Sequence, residues 1–533
     1  MVPIGIWSLF AVTFTALAVH GKLSDGRAHL NAPPRWSLPL PPGPPPTGPV
    51  THVNGTVLAD ITTPYYFNIP IDHNNTSLGT FWTRYWVNYQ YYEPGGPIIF
   101  MNTGEVNAEN YTHFITNSTI NGLISQQESG LLIIMEHRLY GQSNPYPNLN
   151  EDSLKYLSIE QAIQDNVYFA RNVKLLVPGK TSPDTTPWIL IGASYSGALT
   201  AFQKVAEPDV FYIHYGSSAV VEAQVDFHEY FTPIRQNMPA NCSADVQAVI
   251  AHIDEVFMGT NTTAQTEIKN IFGRNATVSN DAIAGLLRNN IWSWQSLQPF
   301  TASAGDKLEF YEFCDALEVN GRMVSGPKGW GLEHALRAWG AYFSRTTVAK
   351  LCADIDLAEC INGTPPSSQD DHPVNDADRS WSWQTCTQFG WGRTSAPKGT
   401  PTIVSRLWTV QTDVIDFCAY YFPKTFPAYG LPRANETNAR YGGWSMHGER
   451  MIFVNGNYDT WREASMSAQQ TNITVSTAFQ PIFLANGFHS SDLLALAAIE
   501  PTVAQTQKQI LMIVSGWLKD WESYKERRQR RGV

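Results

Sequence analysis

Three residues of this chain could supply a nucleophile, a general base and the acid that orients the base: Ser194, His489 and Asp459. An activated serine needs an imidazole within hydrogen-bond reach, and that imidazole needs a carboxylate at its other nitrogen. Each of the three follows a short apolar run that is typical of a buried strand. Because parallel strands end at one edge of a sheet, we expect these three side chains to lie close together.

The serine lies in the motif Gly192-Ala-Ser-Tyr-Ser-Gly197, between the apolar run 188–191 and a helix-like segment. Small flanking residues permit a sharp strand-to-helix corner that exposes the Ser194 hydroxyl. The next backbone N–H, that of Tyr195, is then predicted to donate to the oxyanion that develops during acyl transfer. Ser196 stands where the common G-x-S-x-G pattern has its second glycine. Taken alone, the turn fits an ordinary strand-to-helix turn equally well.

The acid and the base are predicted from two later strands. Asp459 follows the apolar run 451–454, and His489 follows the run 481–484. A single Asp after a strand is usually a turn residue, and a single loop His is usually structural. The chain order Ser, Asp, His, each after a strand, is typical of the α/β-hydrolase fold and predicts a catalytic triad. Three other histidines fit this pattern less well: His137, His334 and His447.

The remaining patterns predict an α/β-hydrolase fold whose sheet is interrupted by a mostly helical cap. Apolar runs at 98–101, 131–135 and 210–215 join those already named, and the segments between them are long enough for crossover helices. From 221 to 400 helical periodicity replaces these runs. We therefore predict a core formed by 51–220 and 401–533, with a disulfide-containing cap inserted at 221–400.

Several features predict export from the cytosol. Residues 1–18 are typical of a signal peptide, and the segment 19–50, which contains nine prolines between Pro33 and Pro49, predicts a linker or pro-segment. Six cysteines suit up to three disulfides, whose pairing the sequence leaves open. Eleven sequons predict N-linked glycans: Asn54, Asn74, Asn75, Asn110, Asn117, Asn241, Asn261, Asn275, Asn362, Asn435 and Asn472.

Charge, segment length and motifs argue against several classes of partner and cofactor. A net charge of −11 and a pI near 5.6 argue against nucleic acid, which requires a clustered positive surface. The apolar segment near the amino terminus is too short to span a bilayer comfortably, so no membrane association is predicted. None of the motifs predicts a cofactor or a metal site.

Eight sequence blocks together resemble the family of proline-specific serine peptidases that includes lysosomal Pro-Xaa carboxypeptidase, its dipeptidyl peptidase relative and the fungal secreted acid prolyl endopeptidases. The resemblance covers most of 60–510 and is weakest in the insertion. The blocks are Ile71-Asp-His-Asn-Asn75, Arg84-Tyr-Trp-Val-Asn88, Gly95-Gly-Pro97, Glu136-His-Arg-Leu-Tyr-Gly141, Leu157-Ser-Ile-Glu-Gln-Ala162, Gly192-Ala-Ser-Tyr-Ser-Gly197, Asn455-Gly-Asn-Tyr-Asp-Thr-Trp461 and His489-Ser-Ser-Asp492.

The resemblance implies cleavage of peptides and proteins on the carboxyl side of proline. It implies a secreted, acid-active prolyl endopeptidase, with a lysosomal or vacuolar location as the alternative. A Pro-Xaa carboxypeptidase and a dipeptidyl peptidase remain open as modes of cleavage, and a non-catalytic binding protein on a hydrolase scaffold is a more distant alternative. Trp461 resembles a tryptophan that lines the proline pocket in this family, although a buried core tryptophan fits the sequence equally well.

Overall fold

Twelve short strands are found in the part of the chain that the structure describes. The computed structural model describes residues 38–44, 48–273, 278–303, 308–353, 360–361, 372–469 and 475–531. The predicted signal peptide and most of the proline-rich segment lie outside these ranges. The strands are β1 (Tyr65–Pro70), β2 (Thr80–Asn88), β3 (Ile98–Asn102), β4 (Leu131–Met135), β5 (Trp188–Ala193), β6 (Ile213–Ser217), β7 (Gln224–Asp226), β8 (Val319–Asn320), β9 (Met323–Val324), β10 (Gly390–Gly392), β11 (Met451–Gly456) and β12 (Ile482–Ala485).

Eight of these strands form one mixed sheet in the order β1-β2-β4-β3-β5-β6-β11-β12. β2 runs antiparallel to both of its neighbours, and every pairing from β4 to β12 is parallel. This sheet confirms the predicted α/β-hydrolase fold. β1 was not predicted, because its exposed and half-buried residues alternate as in an edge strand and give no apolar run. β6 begins three positions after the first residue of the predicted run 210–215, because Val210 and Phe211 are buried before the strand starts.

The sheet is covered on both faces because successive residues of its strands point to opposite sides. Ile99 and Met101 of β3 pack with helices Ile120–Glu128 and Pro501–Lys519 on one face. Ile98 and Phe100 point the other way, into a second buried cluster. The helices of the described chain are Ile120–Glu128, Glu151–Leu154, Ile159–Asn172, Ser194–Ala206, Thr232–Asn237, Ala240–Met258, Thr262–Ile271, Asn280–Leu286, Asn289–Trp292, Pro299–Ser303, Glu309–Glu318, Leu332–Tyr342, Ala349–Leu351, Ala377–Gln384, Phe417–Tyr421, Phe426–Tyr429, Ala434–Tyr441, Pro501–Lys519 and Trp521–Arg531.

The insertion (221–400) is mostly helical and carries disulfides, as predicted. Among its described residues it contributes no strand to the eight-stranded sheet, although β7 pairs with β10 and β8 pairs with β9 in two small sheets. The sheet resumes only at Met451. Within the described ranges, no helix combines the length and apolarity needed to cross a bilayer.

Three disulfides stabilise this part of the molecule. Two of them are internal to the insertion and join Cys242 to Cys314 and Cys352 to Cys360. The third joins Cys386 to Cys418 and therefore crosses the predicted boundary at 400. The boundaries of the insertion stay predictions, and this bridge ties the two sides of the carboxyl-terminal boundary together.

Candidate active site

Ser194 stands on the strand-to-helix corner that its motif predicts. It follows β5 directly, begins the helix Ser194–Ala206 and has a φ of +55°, a left-handed conformation that is uncommon outside glycine. Close packing explains the small neighbours, because a Cβ at Gly192 would lie 2.0 Å from the Ser196 carbonyl oxygen. The Ser196 hydroxyl accepts a hydrogen bond from the Ala193 N–H and donates one to the Ala193 carbonyl, both at 2.9 Å. A serine therefore caps this helix where the common pattern has glycine.

Asp459 and His489 are in direct contact. His489 Nδ1 lies 2.8 Å from Asp459 Oδ1, and both side chains are buried. The Trp461 backbone N–H donates to the same carboxylate oxygen at 2.9 Å, which fixes the orientation of the acid. This geometry is the one in which a carboxylate holds an imidazole in a single tautomer and leaves Nε2 for a hydroxyl.

All three predicted triad residues lie at the carboxyl edge of four neighbouring parallel strands, β5, β6, β11 and β12. The segment after β6 connects the loop of the serine to the loop of the histidine. The Val220 N–H donates to the Ser194 carbonyl at 3.4 Å, and the Ser490 N–H donates to the Ser218 hydroxyl at 2.9 Å. The structure thus brings the strand-to-helix corner of Ser194 and the loops of Asp459 and His489 to one site.

Tyr195 occupies the first turn of the helix that begins at Ser194, where backbone N–H groups have no acceptor within the helix. Its N–H is therefore available for the predicted oxyanion role. Its ring is buried, and its hydroxyl lies 2.9 Å from His137 Nε2. Burial lowers the pKa of His137 to about 4, so this histidine is a neutral partner of the tyrosine at higher pH.

Trp461 lies in a box of aromatic rings beside the acid. Its ring stacks on Phe227 with centroids 5.5 Å apart, and it meets the rings of Tyr230 and Trp391 edge-on at 5.4 Å and 5.7 Å. Only 5% of the residue is exposed. A ring so placed can serve as one wall of an apolar pocket next to the acid loop, and its burial also fits the core role that the sequence left open.

Two glutamines of the insertion contact the loops of Asp459 and His489, and neither was predicted from the sequence. Gln295 Oε1 accepts hydrogen bonds from the Trp461 indole N–H at 3.0 Å and from the Thr460 hydroxyl at 3.2 Å. Gln298 Nε2 donates to the His489 carbonyl at 2.9 Å, and its Oε1 accepts from the Ser491 hydroxyl at 2.7 Å. The sequence marks them only as two amide side chains in a segment rich in aromatic residues, which does not predict a contact with the loops of Asp459 and His489.

A second buried carboxyl group, that of Asp492, lies in the same loop as His489. Asp492 accepts hydrogen bonds from the Tyr215 hydroxyl and, at 2.8 Å, from the Ser217 hydroxyl at the end of β6. Burial raises the pKa of Asp492 to about 6, and this effect outweighs the two hydroxyl donors. The group therefore anchors the loop of His489 to β6 and changes its charge in mildly acid conditions.

Comparison with known proteins places this architecture in a family. A family model described as serine carboxypeptidase S28 matches residues 70–511. The serine protease vicPa of Bipolaris victoriae is 33% identical over 482 residues, which cover 86% of this chain and 89% of that protein. A probable extracellular serine carboxypeptidase of Arthroderma benhamiae is 29% identical over 491 residues, covering 85% of this chain and 67% of that protein.

A more distant relative links the chain to mammalian enzymes. Bovine lysosomal Pro-X carboxypeptidase is 24% identical over 489 residues, covering 86% of this chain and 88% of that protein. The family model covers most of the chain, including strands β2 to β12, the serine corner and the loops of Asp459 and His489. The chain is therefore a serine-type peptidase of the S28 family.

Proposed function

We propose that this peptidase cleaves peptides on the carboxyl side of proline through a Ser194, His489 and Asp459 triad. The observation that carries the proposal is the 2.8 Å contact between His489 Nδ1 and Asp459 Oδ1 at the sheet edge where Ser194 occupies its left-handed corner. An imidazole held in this way presents Nε2 as a general base to a serine hydroxyl.

The reaction follows from these positions. Ser194 Oγ attacks the carbonyl carbon of the proline residue while His489 Nε2 takes the hydroxyl proton, and Asp459 stabilises the imidazolium that forms. The negative oxygen of the tetrahedral intermediate receives a hydrogen bond from the Tyr195 N–H. The imidazolium then protonates the leaving amine, and an acyl-enzyme remains on Ser194. Water, deprotonated by the same imidazole, hydrolyses this ester and restores the serine hydroxyl.

The preference for proline rests on Trp461 and on the resemblance to the family. Proline has a rigid apolar ring and no backbone N–H, so its pocket needs aromatic walls and no partner for an amide donor. The Trp461 ring lies two residues beyond the acid and packs with Phe227, Tyr230 and Trp391. The description of one relative as a lysosomal Pro-X carboxypeptidase supports the same substrate class.

The finer parts of the proposal are an endopeptidase mode, activity in acid and secretion with N-linked glycans. Three disulfides and the description of another relative as extracellular support export. The endopeptidase mode and the acid activity rest on the resemblance to the fungal branch. A Pro-Xaa carboxypeptidase is the second candidate, because one relative is described as a lysosomal Pro-X carboxypeptidase. A dipeptidyl peptidase remains the third.

One set of peptides tests these statements. Peptides of one sequence with a single internal proline are prepared with both ends blocked, with only the amino end free and with only the carboxyl end free. Mass spectrometry after digestion between about pH 4 and about pH 8 locates each cut. We expect cleavage after proline, strongest in acid, that Ser194→Ala removes. Cleavage of the doubly blocked peptide identifies an endopeptidase, and cuts at other residues with proline spared would contradict the proposal.

A further inference from the structure

Arg393 is a buried arginine that lies among aromatic rings at the candidate site. It follows β10 directly, and only 7% of the residue is exposed. Its guanidinium carbon lies 5.5 Å from the ring centroid of Trp292, 5.8 Å from that of Trp461 and 5.9 Å from that of Tyr230. Trp461 is therefore shared between this arginine and the candidate proline pocket.

The hydrogen bonds of Arg393 involve its backbone. Its N–H donates to Asp413 Oδ2 at 2.6 Å, and its carbonyl accepts from Arg288 Nη1 at 3.4 Å. Among the described residues, none accepts a hydrogen bond from the guanidinium, and its Nε is fully enclosed. A guanidinium carries five N–H donors in a planar fork, and buried donors of this kind are nearly always paired.

The neighbouring arginine shows what a structural pairing looks like in the same region. Arg288 Nη1 lies 3.0 Å from Asp413 Oδ1, and its guanidinium stacks on Trp408 at 3.8 Å. Asp413 also accepts the Trp408 indole N–H at 2.6 Å. Asp413 thus faces two buried guanidinium groups with one negative charge, and its side chain pairs with Arg288 rather than with that of Arg393.

Two buried guanidinium groups therefore share the single negative charge of Asp413. Desolvation lowers the pKa of Arg393, with Asp413 and Tyr230 acting in the opposite direction. Rings that face the guanidinium offset part of the cost through cation–π contacts. The faces of these rings offer no acceptor for the N–H groups in the plane of the guanidinium. Two of those N–H groups can donate to the two oxygens of one carboxylate.

We propose that Arg393 binds a carboxylate group of the peptide substrate. This inference rests on the proposed function, because Trp461 connects Arg393 to the proposed triad. The Trp461 ring faces Arg393, and the Trp461 backbone N–H donates to Asp459. The carboxylate comes either from the free carboxyl terminus of the substrate or from an acidic side chain near the cut. The first source makes the enzyme a carboxypeptidase, and the second gives an endopeptidase with a preference for acidic sequences.

Matched substrates distinguish a binding role from a structural one. Three peptides with one proline are compared: one with a free carboxyl terminus, one with the same terminus amidated, and an amidated one with Asp in place of the residue after proline. For wild type we expect kcat/KM to be about 100-fold higher for one of the two carboxylate peptides than for the neutral amide. In Arg393→Gln this preference should fall to near unity through a rise in KM for the preferred carboxylate peptide.

Two further variants complete the experiment. Arg393→Lys keeps the charge without the planar fork and should retain part of the preference, and Arg337→Gln, which removes an exposed arginine of the same insertion, should retain all of it. A wild-type enzyme that cleaves all three peptides equally overturns the proposal even if Arg393→Gln does not fold. Equal losses on all peptides in Arg393→Gln also overturn it. An enzyme that cuts none of them after proline contradicts the proposed function instead.

Discussion

The carboxyl edge of the sheet and the insertion both contribute to the candidate site, the first through paired strands and the second through side-chain hydrogen bonds. At the sheet edge, Ser194, Asp459 and His489 each follow a strand whose backbone pairs with its neighbours, so the ladder fixes where each loop begins. In the insertion, the groups that touch these loops include the side chains of Gln295 and Gln298, which lie in and just beyond a short helical turn. The difference predicts that the sheet edge supplies the reaction and that the insertion supplies alignment and selectivity.

The two regions also differ in their cross-links. Within the described chain, every disulfide lies in the insertion or at its carboxyl-terminal border, and the eight-stranded sheet has none. Short helices are marginal on their own because nucleation is costly, whereas a sheet of eight paired strands shares its hydrogen bonds along the whole ladder. The insertion is therefore the region whose stability depends most on covalent bonds.

The largest expected effect comes from removing the proposed nucleophile at the sheet edge. Ser194→Ala should lower kcat by about 10⁴-fold or more, because the members of such a triad act as a unit. The hydroxyl contributes little packing at this corner, so the melting temperature should stay close to that of wild type. Initial rates on a proline peptide and a thermal melt check both statements. Substantial residual activity in the folded variant would show that another group is the nucleophile.

Breaking a cross-link in the insertion is the next largest change. The double variant Cys242→Ser with Cys314→Ser opens a bridge between residues 72 positions apart. We expect the free energy of unfolding to fall by about 2–5 kcal/mol, with the insertion melting before the sheet. Denaturant unfolding followed by tryptophan fluorescence and by far-UV circular dichroism measures this. Coincident transitions at wild-type stability would remove the distinction between the two regions.

Asp492 gives the sheet edge a specific pH dependence. The pKa of this carboxyl group rises from 3.8 in the unfolded chain to about 6 in the folded protein through burial. Between these values the folded state binds more protons, so its contribution to stability is greatest below about pH 4 and is lost as the pH rises through about 6. The full change is about 3 kcal/mol.

Replacing this group with an amide tests that sign. In Asp492→Asn, the free energy of unfolding should vary less between pH 4 and pH 6 than in wild type, as measured by denaturant titration at each pH. If the two proteins follow parallel curves over this range, the carboxyl group titrates elsewhere and the assignment is wrong.

The smallest effect is expected at the junction of the two regions. Gln298→Ala removes the donor to the His489 carbonyl and the acceptor of the Ser491 hydroxyl. A loosened histidine loop should lower kcat by about tenfold with little change in KM. The control Gln265→Ala removes an amide that donates to the Val256 and Gly259 carbonyls within the insertion and should leave both constants unchanged. An equal change in the two variants would mean that Gln298 has no special role in alignment.

Sequence patterns could predict the sheet edge because its chemistry follows local signals. An apolar run, a turn and a polar residue repeat at Ser194, Asp459 and His489, and the chain order of the three residues selects the fold. The acid–base contact then follows from the parallel pairing of β11 and β12.

The insertion could not be predicted to the same depth. The roles of Gln298 and Arg393 depend on contacts with residues that lie far away in the chain, and no periodicity in the sequence indicates either role. Outside the insertion, the capping role of Ser196 was not predicted either, because it depends on the geometry of the corner rather than on the motif. The bridge from Cys386 to Cys418 shows that cysteine counts predict cross-links but not which segments they join.

The pairing of β6 with β11 has a consequence for folding. His214 is the register partner of Met451, so these neighbours in the sheet are separated in the chain by the whole insertion. The entropy of closing such a loop must be offset before the two strands can pair, and until then β6 presents an open parallel edge to other chains. Each bridge that forms within the insertion shortens the segment whose ends must meet. An oxidising compartment would therefore speed the completion of the sheet and reduce the time during which this edge can aggregate.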